Sequence, residues 1–158
     1  METIKHEDYL NSLLALLEET FEKPRGIYLD KDASLFQTLE TISAEEASIP
    51  VGGKCASLAA QVAHVNFYLE VLERYVVNND TSRVDWGEIW RTIEKVTPEE
   101  WNTLKENLKG AYQRINQIFR ESPTWNEDSI GGSLGIVVHT AYHLGEIRQA
   151  LCVLKKIT

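Results

Sequence analysis

Apolar residues recur along most of this chain at intervals of three and four positions, which is the spacing of one face of an α-helix. The pattern predicts four long helices, over residues 5–22, 57–77, 98–120 and 133–155. The second is apolar on most of its faces, so we expect it to be buried on more than one side. The apolar face predicted for the last helix comprises Leu134, Val137, Val138, Ala141, Leu144, Ile147, Leu151 and Leu154.

Two capping boxes mark predicted helix starts. Thr97 and Glu100 have the spacing of such a box, and Pro98 suits the first helical position. Ser43 and Glu46 form a second box in the long connection that follows the first helix. The box at Thr97 therefore predicts the start of the third long helix, and the box at Ser43 predicts a short additional helix.

The connections contain further signals. Residues 35–39 predict a short helix, and residues 85–88 predict the cap of another short turn. Pro123 and the pair Gly131 and Gly132 predict a tight turn before the last helix. The tryptophans near these connections and helix ends are expected to close a core, or alternatively to line a pocket or a dimer face; they are Trp86, Trp90, Trp101 and Trp125.

These patterns together predict the fold class. No segment alternates between apolar and polar residues as a strand would, and the chain has no internal repeat. We predict an all-α fold in which residues 1–158 form one domain, a four-helix bundle with long crossover connections and short extra helices. Because long connections can cross a bundle, a simple up-down-up-down order is not required.

The charge and the cysteines narrow the range of partners and compartments. The 158 residues include 16 Lys and Arg against 24 Asp and Glu, a net charge of −8, and this diffuse negative charge argues against nucleic acid and anionic membranes as partners. No apolar run is long enough to span a membrane, and the first residues lack the apolar centre of a signal peptide. Cys55 and Cys152 form no CxxC motif. We therefore expect a cytoplasmic protein with free thiols.

Three of the four histidines lie in predicted apolar helices. His139 and His143 are four residues apart, so their side chains project from the same side of the last helix, and His64 lies midway along the second. Imidazoles gathered inside a bundle are most simply explained by a divalent metal ion. The alternative is that each ring is an ordinary core residue bonded to a carbonyl or a carboxylate, and no spacing rule links His64 to the pair. His6, near the N-terminus, is expected to be solvated.

Other metal motifs are excluded by their residues. Di-iron bundles use Glu-x-x-His, and the residues three positions before the four histidines are Thr3, Gln61, Ile136 and Thr140. The metalloprotease motif HExxH needs a Glu where this chain has Thr140. Cys152 lies on the opposite side of the last helix from His143 and is not expected to join the site.

Two segments resemble the DinB/YfiT-like superfamily of bacterial proteins. They are residues 62–70, which contain His64, and residues 139–149, whose His139-Thr-Ala-Tyr-His143-Leu-Gly-Glu-Ile is similar to the family pattern HxxxHxGQI. The resemblance implies a four-helix bundle in up-down-down-up order. It also implies that His64, His139 and His143 bind one divalent ion, Zn or Ni, with Mn or Fe as alternatives, and that the protein forms a homodimer.

The chain departs from the family pattern at Glu146, where the family commonly has Gln. This carboxylate lies on the same side of the last helix as His139 and His143. It is therefore a candidate catalytic residue, as a base, and alternatively a fourth ligand or a partner of a ligand imidazole. An ion pair with Arg148 or another cation is the structural alternative.

The expected function is that of a metal-dependent enzyme acting on a small molecule. Three imidazole ligands with open coordination positions are typical of catalytic rather than structural zinc sites. The resemblance implies a thiol S-transferase that uses a low-molecular-weight thiol, or a hydrolase. The alternatives are a non-catalytic bundle that binds a metal or another ligand, and a metal-free structural dimer.

Overall fold

The computed structural model describes residues 4–51, 55–78, 80–122 and 124–155, and these residues form helices and no strand. The fold is therefore all-α, as predicted. The helices are α1 (His6–Phe21), α2 (Leu35–Glu40), α3 (Ala44–Ala47), α4 (Leu58–Asn78), α5 (Glu88–Thr92), α6 (Pro98–Glu121) and α7 (Glu127–Leu154).

The capping boxes predicted from the sequence are confirmed. The Thr97 side chain accepts from the backbone N–H of Glu100, and the Glu100 carboxylate accepts from the N–H of Thr97, at the start of α6. Ser43 and Glu46 make the same reciprocal pair before α3. The predicted short turn is α5, although its N-cap is Gly87 and no side chain caps it.

The predicted tight turn at Gly131 and Gly132 is wrong, because both residues lie inside α7. The helix begins at Glu127, six residues before the predicted start, after a capping box between Asn126 and Ser129. Open space surrounds the position of a Cβ at either glycine, so no close contact requires glycine there. Pro123 lies outside the described residues.

The long helices pack in pairs around a shared core. α4 packs against α6 and α7, and α1 packs against α7 and α6. The helix α4 is buried on several sides, as its apolar sequence predicted. The largest fully buried side chains are Phe21, Leu13, Leu17, Leu35, Leu39, Leu58, Leu69, Leu108, Ile115, Ile136, Leu144 and Ile147.

The predicted apolar face of α7 is wrong at two positions. Val138 is 66% exposed and Leu134 is 44% exposed, whereas Val137 and Leu144 are buried. Apolar residues surround much of this helix, so periodicity alone does not show which face meets the core.

None of the helices in the described ranges is both long enough and apolar enough to cross a membrane. Cys55 and Cys152 are free and exposed.

Candidate metal centre

Three histidine side chains from two helices converge in the structure. His64 from α4 and His139 and His143 from α7 each offer one ring nitrogen, and these nitrogens all lie within 4.8 Å of one another. The Nε2 atoms of His64 and His139 are 3.2 Å apart. The structure therefore brings His64 to the i, i+4 pair, which the sequence alone did not do.

The surrounding core keeps the three rings uncharged at neutral pH. Burial, together with the smaller effect of the nearby rings of His143 and His64, lowers the pKa of His139 to about 4. Burial is also the main cause of the lowered pKa values of His64 and His143. The Glu146 carboxylate raises both pKa values, but it does not reverse the effect of burial. Neutral imidazoles have a free lone pair, which is the form that binds a metal ion.

The ring of His143 is oriented by two acceptors. Its Nδ1 lies 2.6 Å from Oε1 of Gln61 and 3.0 Å from Oε2 of Glu146. With these partners Nδ1 is the donor, and Nε2 keeps its lone pair. Hydrogen bonds of this type fix the tautomer and the orientation of ligand histidines in metal sites.

The rings of His64 and His139 are not satisfied in the manner of ordinary core histidines. The Nδ1 atoms of both are buried and have no hydrogen-bond partner among the described residues. Their Nε2 atoms contact each other, and in that contact only one of the two can donate. Both rings therefore keep hydrogen-bonding capacity that the protein does not use, which is unfavourable for a buried polar group without a ligand.

The spacing of the His64 and His139 rings fits a divalent ion. Two nitrogens each about 2.0–2.1 Å from a tetrahedral zinc ion would be about 3.3 Å apart, close to the 3.2 Å between the Nε2 atoms of His64 and His139. The donor set contains neutral imidazoles and no thiolate, and imidazole suits Zn, Ni, Fe and Cu.

Aromatic side chains surround the histidines. Tyr68 stacks on His139 with 3.8 Å between ring centroids, and Trp90 lies 4.4 Å from His64. Tyr142 meets His143 edge to face at 5.1 Å. Trp90, one of the tryptophans for which a pocket wall was the alternative to a core position, contacts His64 and lines a second cavity together with Cys55 and Ala60. A cavity of about 510 Å³ lies beside the cluster and is lined by Gln61, Glu146, Tyr142, Cys55, Val51, Ala56, Leu58, Gly145, Gln149, Ala150 and Val153.

The structure places Glu146 against a histidine. Its carboxylate contacts Nδ1 of His143, so of the predicted roles the geometry favours that of a partner of a ligand imidazole. The alternative ion pair with Arg148 is not formed, because that guanidinium donates to the hydroxyl of Thr38. His6 is exposed, as predicted, and Cys152 is not part of the three-histidine group.

Sequence reasoning missed Gln61, Tyr68 and Tyr142 as parts of the site. Gln61 lies one helical turn before His64, and Tyr68 lies one turn after it, so both share a side of α4 with a suspected ligand. Their spacing from His64 is the sequence feature that could have identified both residues as neighbours of the site.

Comparison of the chain with protein families, curated proteins and solved structures gave no match. The resemblance to the DinB/YfiT-like superfamily therefore stays a hypothesis that rests on the motif residues.

Proposed function

We propose that this protein is a metal-dependent enzyme in which His64, His139 and His143 bind one divalent ion, Zn or Ni in the first place. The observation that carries the proposal is the convergence of three neutral imidazoles, in which the Nε2 atoms of His64 and His139 are 3.2 Å apart. Three protein ligands leave at least one coordination position free, which is the pattern of catalytic zinc sites.

The residues around the ion have separate tasks in this proposal. A bound divalent ion would supply Lewis-acid activation of water or of a thiol. Gln61 and Glu146 hold His143 in the tautomer that presents Nε2. Tyr68 and Trp90 cover His139 and His64, which keeps bulk water from the rings.

The proposed substrate is a small molecule. The cavity beside the cluster has a volume of about 510 Å³, within the range of ligand pockets, and its lining includes Gln61 and Glu146, the two acceptors of His143. Acyl or group transfer to water or to a low-molecular-weight thiol suits a site of this kind, so we propose a hydrolase or a thiol S-transferase.

Inter-helix contacts support the up-down-down-up four-helix bundle as part of the proposal. The Tyr9 hydroxyl near the start of α1 meets Ser133 near the start of α7, which favours parallel helices. Tyr112, in the middle of α6, donates a hydrogen bond to Glu22 at the end of α1. Phe119, near the end of α6, packs on Trp125, and Trp125 packs on Tyr9 near the start of α1. The end of α6 therefore lies beside the start of α1, so the two helices run in opposite directions. Gln61, near the start of α4, contacts His143 of α7, and Tyr68, about two turns later in α4, lies near Gly135, which comes earlier in α7. These two contacts favour an antiparallel arrangement of α4 and α7.

The acidic charge and the free cysteines support a cytoplasmic location without a nucleic-acid partner.

Cobalt substitution tests whether the site has an exchangeable position. The protein is loaded with Co²⁺, its visible absorption is recorded, and a small thiol is titrated in. We expect a spectrum that changes with thiol and a signal that is lost in His64→Ala. The exposed His6→Ala variant, outside the cluster, is the matched control and should behave as wild type.

The other outcomes favour the alternatives. A cobalt spectrum that no thiol changes, together with no activity on panels of thiol and amide substrates, would indicate a non-catalytic metal-binding protein. Absence of metal from the wild-type protein, with no loss of stability in His143→Ala, would indicate a metal-free structural protein.

A further inference from the structure

A third cavity borders α7, beside the cavity that the proposed function assigns to the substrate. Its volume is about 490 Å³, and its lining includes Gly145, Arg148 and Gln149 of α7 and Tyr28 and Leu29 of the segment that follows α1. We call it the arginine cavity, and we call the substrate cavity beside the three histidines the histidine cavity.

The two cavities adjoin at Gly145. Gly145 and Gln149 line both of them, so the cavities lie on either side of these two residues. Gly145 is exposed, and open space surrounds the position of a Cβ there. Because no side chain rises from α7 at this point, a ligand has room to extend from one cavity into the other across the backbone of Gly145.

Arg148 supplies a positive charge that the protein holds in place and does not neutralise. Its Nη1 donates to the hydroxyl of Thr38 at 3.1 Å and to the carbonyl of Asp32, and Thr38 is buried. Among the described residues, the other guanidinium nitrogens have no acceptor and no carboxylate pairs with Arg148. A guanidinium held on one side and free on the other suits a carboxylate, which accepts two parallel N–H bonds.

The wall of the arginine cavity opposite α7 is held by a buried carboxylate. Glu19 is 0% exposed. Its carboxylate accepts hydrogen bonds of 2.7–3.0 Å from the backbone N–H groups of Ile27, Tyr28 and Leu29. These bonds fix the segment before a ligand arrives, so binding in the cavity does not have to order it.

We propose that Arg148 binds a carboxylate at one end of the substrate, while the other end crosses Gly145 into the histidine cavity. The inference rests on the proposed function for the position of the reacting end, and it names the substrate class, a small molecule with a carboxylate tail. A helix rises 1.5 Å per residue, so the Cα atoms of His143 and Arg148 are roughly 7–8 Å apart along α7. An extended chain of about six bonds spans that distance.

The charges around the two cavities make Arg148 the residue that determines this selectivity. Among the described residues that line them, Arg148 is the one basic residue and Glu146 the one acidic residue. The whole chain has a net charge of −8, which disfavours anions in general. Loss of the guanidinium should therefore weaken the binding of carboxylates and leave neutral ligands unaffected.

Nuclear magnetic resonance titration tests the carboxylate site. The full-length protein, with and without added Zn²⁺, is titrated with hexanoate and with hexan-1-ol, and the Gly145 amide and Arg148 Nε–H signals are followed. We expect hexanoate to bind at least about tenfold more tightly than the alcohol, because a charge-assisted bond is lost with the carboxylate. Arg148→Gln should abolish this preference. Lys155→Gln, which removes a positive charge from the end of the same helix, is the matched control and should keep it.

The metal-free arm separates this inference from the proposed function. Equal affinity for the acid and the alcohol in the wild type, or an unchanged preference in folded Arg148→Gln, would overturn the carboxylate site whether or not a metal binds. A carboxylate preference in a protein that binds no metal would support the role of Arg148 and count against the proposed enzyme.

The path across Gly145 has its own test. Gly145→Leu should weaken hexanoate, which must cross the helix, by about tenfold and should leave acetate, which reaches Arg148 alone, unchanged. Gly131→Leu is the matched control, because Gly131 is also exposed in α7 with open space around its Cβ position and lies outside both cavities. Circular dichroism checks that the variants fold. Unchanged hexanoate affinity in Gly145→Leu would contradict the path.

Discussion

Glu146 and Gln61 act on the same nitrogen of His143, and their relative importance can be measured. Both lie within hydrogen-bond distance of Nδ1. We expect Glu146→Ala to lower metal affinity by about 10–100-fold, the usual effect of removing an outer partner of a ligand histidine. Glu146→Gln should lose less, because the amide oxygen can still accept from Nδ1. Competition titration with Zn²⁺ and a chromophoric chelator measures these affinities.

The same variants separate positioning from proton transfer. If Glu146 only orients His143, Glu146→Gln should keep its turnover and most of its metal affinity, and Gln61→Ala should resemble Glu146→Ala. Loss of turnover with unchanged affinity in Glu146→Gln would show that the carboxylate acts as a base. Unchanged affinity in all three variants would show that neither acceptor orients the ring.

His139 predicts a pH dependence for the metal-free protein. Its folded-state pKa is about 4 because of burial and the neighbouring rings, whereas an unfolded histidine has a pKa of about 6.5. Between these values the unfolded chain binds more protons than the folded one, so the free energy of unfolding falls as the pH is lowered from about 6.5 towards 4. The lowered pKa values of His64 and His143 act in the same direction.

Urea unfolding at a series of pH values, in the presence of a chelator, measures this slope. The His139→Asn variant is the control, because it lacks the titrating ring and keeps the carboxylates that titrate in more acidic solution. We expect the free energy of unfolding to fall less steeply with decreasing pH in the variant than in the wild type between pH 6.5 and 4.5. This range lies between the unfolded and folded pKa values of His139. Equal slopes for the two proteins would contradict a depressed pKa at His139.

Part of the site was predictable at the residue scale. The i, i+4 pair His139 and His143 follows from helical periodicity, because both side chains must leave the helix on one side. His64 could be suspected because it is polar in an apolar helix and because the segment around it resembles the DinB/YfiT-like pattern. Its distance from the pair depends on how α4 packs on α7, which no local pattern specifies. The contacts of Trp90 and Tyr142 with the rings depend on the same packing.

At the scale of the helix, Gly132 provides a test of where α7 begins. It lies within the helix, with open space around the position of a Cβ. We expect Gly132→Ala to raise the free energy of unfolding by roughly 0.5–1 kcal/mol, because alanine is the better helix former. Gly26→Ala is the control and should be destabilising, since Gly26 has a φ of +79°, a conformation that alanine avoids. Destabilisation by Gly132→Ala, measured by urea unfolding, would favour a turn at this position.

The start of α7 shows why helix boundaries are difficult to read from sequence. Two adjacent glycines are a strong turn signal, and here they are inside the helix. The actual start uses Ser129 in place of the Glu or Gln that usually completes a capping box, so it does not stand out. Thr97 and Glu100 match the usual box, and the start of α6 was predicted correctly.

At the scale of the whole molecule, the proposed ion would join α4 to α7. α4 and α7 pack side by side, with His64 in the first half of α4 and with His139 and His143 near the middle of α7. The all-α class was predictable because helical spacing extends over most of the chain. The neighbours of each helix were not predictable from that spacing, because the connections are long enough to allow several orders.

Elemental analysis of the purified protein shows whether His64, His139 and His143 bind a metal ion. The protein is loaded with Zn²⁺ or Ni²⁺, dialysed, and assayed for metal beside His64→Ala and His6→Ala, with circular dichroism to confirm folding. We expect one divalent ion per chain in the wild type and in His6→Ala, and its loss in His64→Ala. A folded wild-type protein that retains no metal, or a His64→Ala variant that retains as much as wild type, would contradict this expectation.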